Sequence, residues 1–379
     1  MALVLSDEQS MLRETARSFL GKNAPVAHLR KLRDSREPDG FSRPLWKAFA
    51  GQGWAGILVP EAYDGLGLGH VEAGIIMEEL GHNLTPSPFL STSVVAVTAL
   101  ARGGSDVQKS TWLPKIVSAD LIVALAVDEA PKHRPTKIAL SASRFGSSFS
   151  LKGGKCYVVD GHVADLFIVA ARTSGTPGDT AGITLFAIDS QSKGLHVERT
   201  IAVDSHNAAR VVFDNVAAST DNVLGQIDNG WSLLDGMLDT GRAALAAELL
   251  GAGDEAFART LAYLKERKQF GRLIGEFQAL QHRAAQLYSE LEVTRSTVLQ
   301  ALQTLDESFE AAAQIVSIAK ARAGQTATLA AQEGIQMHGG IGMTDEFEIG
   351  FFLKRVRVSQ ELFGDANFHA DRVAHLNHY

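Results

Sequence analysis

All ten prolines of this 379-residue chain lie at or before Pro177. Proline removes a backbone donor and clashes with the preceding turn, so a proline-free half can carry long unbroken helices. The apolar spacing agrees. Leu280, Ala284, Leu287, Leu291, Val298 and Leu302 keep the i, i+3, i+4 rhythm of a bundle helix. From Gly230 onward the pattern is helical almost throughout, and no period of repeat-protein length interrupts it.

The part before Pro177 is more varied. Ser6 with Gln9 predicts a capping box opening a helix that carries Leu12, Ala16 and Leu20 on one face. PEAYDGLGLG, Pro60 to Gly69, predicts a turn-rich break. His70 to Leu80 predicts a second helix, closed by Gly81 as C-cap. Between 121 and 226, short runs rich in Val, Ile and Phe alternate with Gly, Ser, Asp and Thr. They predict strands over Leu121–Val127, Lys155–Val159, Leu166–Ala171, Ile183–Ile188, Leu195–Arg199 and Arg210–Phe213. Their close spacing favours an antiparallel sheet or small barrel. The expected fold is a multidomain α+β chain. It has an N-terminal α-helical domain (1–120), a middle antiparallel β domain (121–226) and a C-terminal four-helix-type bundle (227–379).

Composition bounds the function. A chain of 379 residues is too long for one ordinary core. A net charge of −7 without a basic tail argues against nucleic acid as a main partner. The single cysteine, Cys156, excludes an intrachain disulfide framework and a cysteine-rich metal site. The histidines show no metal-ligand spacing, so no metal is expected. MALVLSDEQ does not read as a signal peptide, and no apolar run reaches membrane-spanning length. A cytoplasmic protein is the expectation.

Two segments carry chemistry. YLKERKQFGRLIGEFQALQHR, Tyr263 to Arg283, sets Arg267, Lys268 and Arg272 around Phe270 and Gly271. QMHGGIG, Gln336 to Gly342, is a second glycine turn with a polar entry. Basic side chains, an aromatic face and glycines that allow close approach suit an anionic dinucleotide such as FAD. GLGLGH at Gly65 to His70 lacks the Rossmann spacing and reads as a turn. His338 reads as a polar neighbour of a cofactor, and His369, Asp371 and Arg372 as part of a solvated terminal helix.

These segments, in this order, resemble the acyl-CoA dehydrogenase family. LSDEQSMLRE at Leu5 is similar to that family's opening helix, and VPEAYDGLGLG at Val59 to its PExYGGxG turn. WLPKI at Trp112 resembles the segment entering its β domain, and GGKCYVVDGHVADLFIVAART at Gly153 resembles its GxKxWITNGxxADxxxVxART. The resemblance implies FAD lying between the β domain and the C-terminal bundle, with its ADP half reaching a neighbouring subunit. Arg267 and Phe270 would then meet the pyrophosphate and adenine side, and Gln336, Gly339 and Gly340 would pack on the adenosine. Gln278 or Gln281 would add a polar contact, and Tyr157 an aromatic wall. The implied chemistry is α-proton abstraction from an acyl-CoA with hydride transfer to the flavin, electrons leaving to an electron-transfer flavoprotein.

The chain departs from the family where the base belongs. The family's YEGT motif aligns with LFGDA, Leu362 to Ala366, so Gly364 stands for the glutamate. The second known position, before an arginine on the first bundle helix, holds Gly241, followed by the retained Arg242. Asp365, beside Gly364, and Glu248, about 10 Å beyond Gly241 along the helix, are the substitute acids. Asp365, Glu248 and Arg242 are thus the catalytic candidates, with a helix cap and a structural acid as the bland alternatives for the two carboxylates. The family's Thr-Glu-Pro stretch aligns with Asp128, Glu129 and Ala130, and its Trp-Ile-Thr with Tyr157, Val158 and Val159, which lacks a hydroxyl. ADP-side contacts look intact and ring-side contacts weakened. The implied assemblies are a homodimer or homotetramer with a relocated base, or a heterotetramer with a second such chain. In branches of the family acting on sterol side chains, one of two unlike subunits supplies the base.

Overall fold

The computed structural model describes residues 3–379. Helices α1 (Asp7–Asn23), α2 (Val26–Asp34), α3 (Arg43–Gly51) and α4 (His70–Asn83) come first. A π-helical stretch, Phe89–Ala96, then leads into α5 (Val97–Gly103) and α6 (Asp106–Val117). Strands β1 (Val123–Ala126), β2 (Ser141–Phe145), β3 (Ser148–Val159) and β4 (Leu166–Arg172) follow, then β5 (Ile183–Asp189), β6 (Leu195–Ile201), β7 (Asn207–Ser219) and β8 (Val223–Leu224). The long α7 (Trp231–Glu266) precedes a short hairpin, β9 (Lys268–Gln269) and β10 (Arg272–Leu273). Helices α8 (Gln278–Glu307), α9 (Ala313–His338), α10 (Ile349–Glu361) and α11 (Ala366–Leu376) end the chain. No helix among the described residues is long and apolar enough to cross a membrane.

Packing divides the chain into two units, and the division falls inside α7. One comprises residues up to 34, 70–85 and 242–379; the other comprises 35–69 and 86–241. In the first, α9 packs against α8, α10 and α11. Its buried face is largely Ala319, Ala323, Gly324, Ala327, Ala330, Ala331 and Gly334, small residues that let neighbouring helices approach. The Ser6–Gln9 capping box opens α1 as expected: Ser6 Oγ accepts from Gln9 N and Gln9 Oε1 accepts from Ser6 N. The fully buried Glu79 of α4 receives Arg17 of α1 at 2.7 Å.

Gly81 does not end its helix. α4 continues to Asn83, and Leu84 takes the left-handed conformation at φ 50°. Gly81 instead serves a helix crossing, because a Cβ there would lie 2.2 Å from the Glu248 carbonyl oxygen. Gly251 does the same from the α7 side, where a Cβ would meet the Glu78 carbonyl at 1.9 Å. The sequence rule for a glycine near a helix end met a tertiary requirement for missing volume.

In the second unit the strands run in the order β6-β7-β3-β2-β4-β5-β8, an open sheet with β1 added on β4. Phe149, Phe167, Phe186 and Phe213 fill its core with Val158, Val169 and Val211. The sheet is mixed and not purely antiparallel. β1 pairs with β4 in parallel, Val123 opposite Leu166 through Ala126 opposite Val169, because the β2–β3 hairpin intervenes and the chain returns in the same direction. β2 was hidden from pattern reading since only Ala142 of its five residues is buried.

The glycine crossing gives a direct test. Gly251→Val should cost about 3 kcal/mol, as overpacking against fixed backbone does, read as a lowered urea midpoint at unchanged slope.

Candidate functional site

The first glycine motif folds as a two-residue β-hairpin. Gln269 pairs with Arg272 and Lys268 with Leu273, leaving Phe270 and Gly271 at the tip with φ of 52° and 81°. Two positive φ values are what the right-handed twist of a tight hairpin demands. Glycine meets that demand freely, whereas a bulky residue does so at a cost, and such strain gathers at functional sites. Phe270 is also 91% exposed, so burial does not compensate it. The tip is steadied from below: Phe270 meets Phe277 edge-on at 6.2 Å, and the Arg272 guanidinium lies 4.2 Å above the Phe277 ring.

The second motif meets the first. Leu264 and Ile274, flanking the hairpin, form one apolar cluster with Met337, joined by Tyr263, Phe277 and Leu280. The buried His338 ring lies between Tyr263 at 4.4 Å and Phe347 at 4.7 Å, and its Nδ1 bonds the Gly334 carbonyl at 2.6 Å. Burial holds its pKa below the usual imidazole value, and the ring's place between two aromatic neighbours makes it a packing element of the motif. Gln336, Gly339 and Gly340 are exposed, and nothing lies within 4 Å of a Cβ built on Gly271, Gly339 or Gly340. Arg267 and Gln278 are exposed on the same unit, and Gln281 donates its amide to the Gly275 carbonyl at 2.9 Å. An open glycine face beside a permanent cation and an exposed aromatic ring fits a pyrophosphate with a flat heterocycle.

The catalytic candidates gather elsewhere in this unit. Gly364 is buried at φ 110°, directly after Phe363 at φ 58°. Asp365 is the N-cap of α11: its Oδ1 accepts from Phe368 N at 2.8 Å. The buried Glu248 has both oxygens engaged by Arg355, at 2.7 and 2.9 Å. Arg242 is fully buried, and its Nε donates to the Phe363 carbonyl at 3.1 Å. Asp365 and Arg242 are thus brought to one turn, while Glu248 is held in an ion pair with α10.

Sequence reasoning missed Lys320 of α9. It is 1% exposed and donates to the carbonyls of Gln360 at 3.0 Å and Gly364 at 3.2 Å. Burial, aided by the neighbouring Arg242, lowers its pKa to about 7. A lysine inside an alanine-rich helix carries no one-dimensional signal of this role.

In the other unit, Tyr157 is 41% exposed at φ 55°, beside a register shift between Lys155 and Val158. Both oxygens of Asp128 lie within 3.0 Å of His133 Nδ1. Glu129 accepts from Ala139 N, Leu140 N and the buried Lys155 ammonium. These two acids fasten their own loop. In the first unit Glu78, His82 and Asp254 offer atoms within 4.8 Å of one another, but the Arg295 guanidinium already bridges Glu78 and Asp254. A cation is therefore already in place there.

Two predictions follow from these buried charges. Glu248→Gln removes the buried charge that pairs with Arg355 and should cost about 3–5 kcal/mol in denaturant titrations. Lys320 binds its proton less tightly folded than unfolded, with its pKa lowered from 10.5 to about 7. Between those values the unfolded chain holds more protons, so stability should climb as pH rises through that window and level off below it. Urea midpoints from pH 6.5 to 9.5 should show this slope in the native protein and a flatter one in Lys320→Met.

Comparison with known proteins agrees with this geometry. Residues 6–120, 119–216 and 228–376 match the acyl-CoA dehydrogenase N-terminal, middle and C-terminal domain models. The mitochondrial isovaleryl-CoA dehydrogenase of Pongo abelii is 31% identical over 93% of this chain and 85% of its own length. A variant of the Tcur3481–Tcur3483 steroid ACAD superposes with a TM-score of 0.88 at 29% identity, over 98% of each chain. The ChsE4–ChsE5 complex from Mycobacterium tuberculosis gives 0.87 at 25%, over 100% of this chain and 99% of that one. Three domain matches in sequence order, the glycine hairpin and its companion turn place this chain in the acyl-CoA dehydrogenase family, FAD-dependent oxidoreductases acting on CH–CH bonds.

Proposed function

We propose that this chain serves the α,β-desaturation of an acyl-CoA thioester as one of two unlike subunits, the other supplying the carboxylate that removes the α-proton. The observation that carries this is the state of the acids around Gly364 and Gly241. Glu248 is consumed by Arg355, and Asp365 caps α11. A general base needs a proton-accepting atom aimed at substrate, whereas Arg355 engages both oxygens of Glu248 and the cap turns Asp365 Oδ1 back onto its own helix. Two structural relatives carry paired names, Tcur3481–Tcur3483 and ChsE4–ChsE5, and one is described as a steroid ACAD. That supports a branched or bulky acyl group as substrate. Electrons leave to an electron-transfer flavoprotein, as the family resemblance implies, in the cytoplasm.

On this reading Arg267, Phe270, Gln336, Gly339 and Gly340 hold the ADP portion of FAD, with Gln278 and Gln281 at the margin. Tyr157 offers an aromatic wall, and Val159 gives the ring no hydroxyl bond. Bound FAD supplies the hydride acceptor. The chain's own share is to fix the cofactor through a rigid hairpin and open glycines, which leave backbone amides within reach of phosphate oxygens.

The test is spectroscopic. The chain is purified alone and with an acyl-CoA dehydrogenase-like chain that retains glutamate at the position of Gly364. Flavin absorption is then recorded anaerobically with a panel of acyl-CoAs. The pair should bleach and the lone chain should not. Bleaching by the lone chain that Asp365→Asn abolishes would instead establish a homo-oligomer with a relocated base. In either assembly Arg267→Met should weaken FAD retention about tenfold or more, as loss of a charge-assisted bond does, measured by flavin release on dilution.

A further inference from the structure

The turn at Gly364 is filled as well as lacking a side chain. A Cβ built there would lie 2.3 Å from Phe368 Cδ1 and 2.9 Å from its Cγ and Cε1. No side chain fits at such distances unless the ring moves. The ring is held on three sides. Its own backbone N–H is capped by Asp365, which fixes the start of α11. The Arg242 guanidinium carbon lies 5.4 Å from the ring centroid, within cation–π reach. The His369 ring meets it edge-on at 5.1 Å and an interplanar angle of 88°. Arg242 in turn is tied to the Phe363 carbonyl. Ring, cation and strained turn therefore form one interlocked packing unit.

We infer that Phe368 is the specificity-determining residue of this turn, its ring occupying the volume of the absent side chain and presenting an aromatic face where an acid would stand. This rests on the reading that Leu362–Ala366 faces the reacting end of the acyl chain. The absence of the acid is thus coupled to a second position: a carboxylate at 364 is accommodated only when residue 368 is small. A lone glycine could revert by a single substitution. This one cannot, because the space is taken.

The experiment crosses two positions in the flavin-loaded protein. Gly364→Ala, Phe368→Ala and the double variant are compared by thermal melting, with Phe368→Leu replacing Phe368→Ala if the latter does not fold. The backbone cost of a positive φ stays in every Gly364 variant, so only the clash is coupled. The double variant should lose less than the sum of the single losses; additive losses would overturn the inference. In parallel, Gly364→Glu and Gly364→Glu/Phe368→Ala are mixed anaerobically with acyl-CoAs. Bleaching about a hundredfold faster in the double variant, in line with the usual contribution of a general base, is the expected result. Equal bleaching by Gly364→Glu alone would overturn the inference. Coupled stability without any bleaching would leave the packing of Phe368 standing and refute the placement of this turn against the acyl chain.

Discussion

Buried carbonyl oxygens need donors, and at the α10–α11 turn they are met by two buried basic side chains. Lys320 serves Gln360 and Gly364, and Arg242 serves Phe363. An unsatisfied backbone oxygen at this depth would be costly. These donors hold two successive positive-φ residues in place, set the start of α11 and so fix where Phe368 stands. Everything distinctive about this region follows from that clasp, including the strained backbone, the filled volume beside Gly364 and the commitment of Asp365 to a cap.

The same logic explains the fate of the acids. Isolated carboxylates are rare in a helical core because an unpaired buried charge is expensive. Each one here has a partner: Glu79 with Arg17, Glu248 with Arg355, and Glu78 with Asp254 around Arg295. Such pairs hold helices in register, and the geometry that makes them good fasteners makes them poor proton acceptors. The hairpin shows the opposite arrangement. Phe270 is strained and exposed, and Gly339 and Gly340 face open space, so surface is kept available at a local cost.

Much of this was legible in one dimension. Proline placement and the rhythm of Leu287, Leu291, Val298 and Leu302 announced the helical half, and those four residues are buried along α8. The Ser6 capping box was readable because both partners lie within one turn. The β2 strand was not, because only one of its five residues is buried and so it has no alternation to read. Gly81 was misassigned because a glycine that caps and a glycine that admits a neighbouring helix look alike in a string of letters.

The sequence by itself determined the order of helical and strand-rich regions, the two glycine motifs and the missing glutamates, since each depends on local spacing or residue type. Tertiary structure alone decided what replaces them. It brought Met337 to Leu264 and Ile274, Arg355 to Glu248, and Lys320 and Arg242 to the Gly364 turn. It also laid the Phe368 ring, four residues along, over Gly364, one of the two positions where an acid was expected. Such meetings are set by packing and by the need to pair buried polar groups, and neither is written in any single stretch of chain.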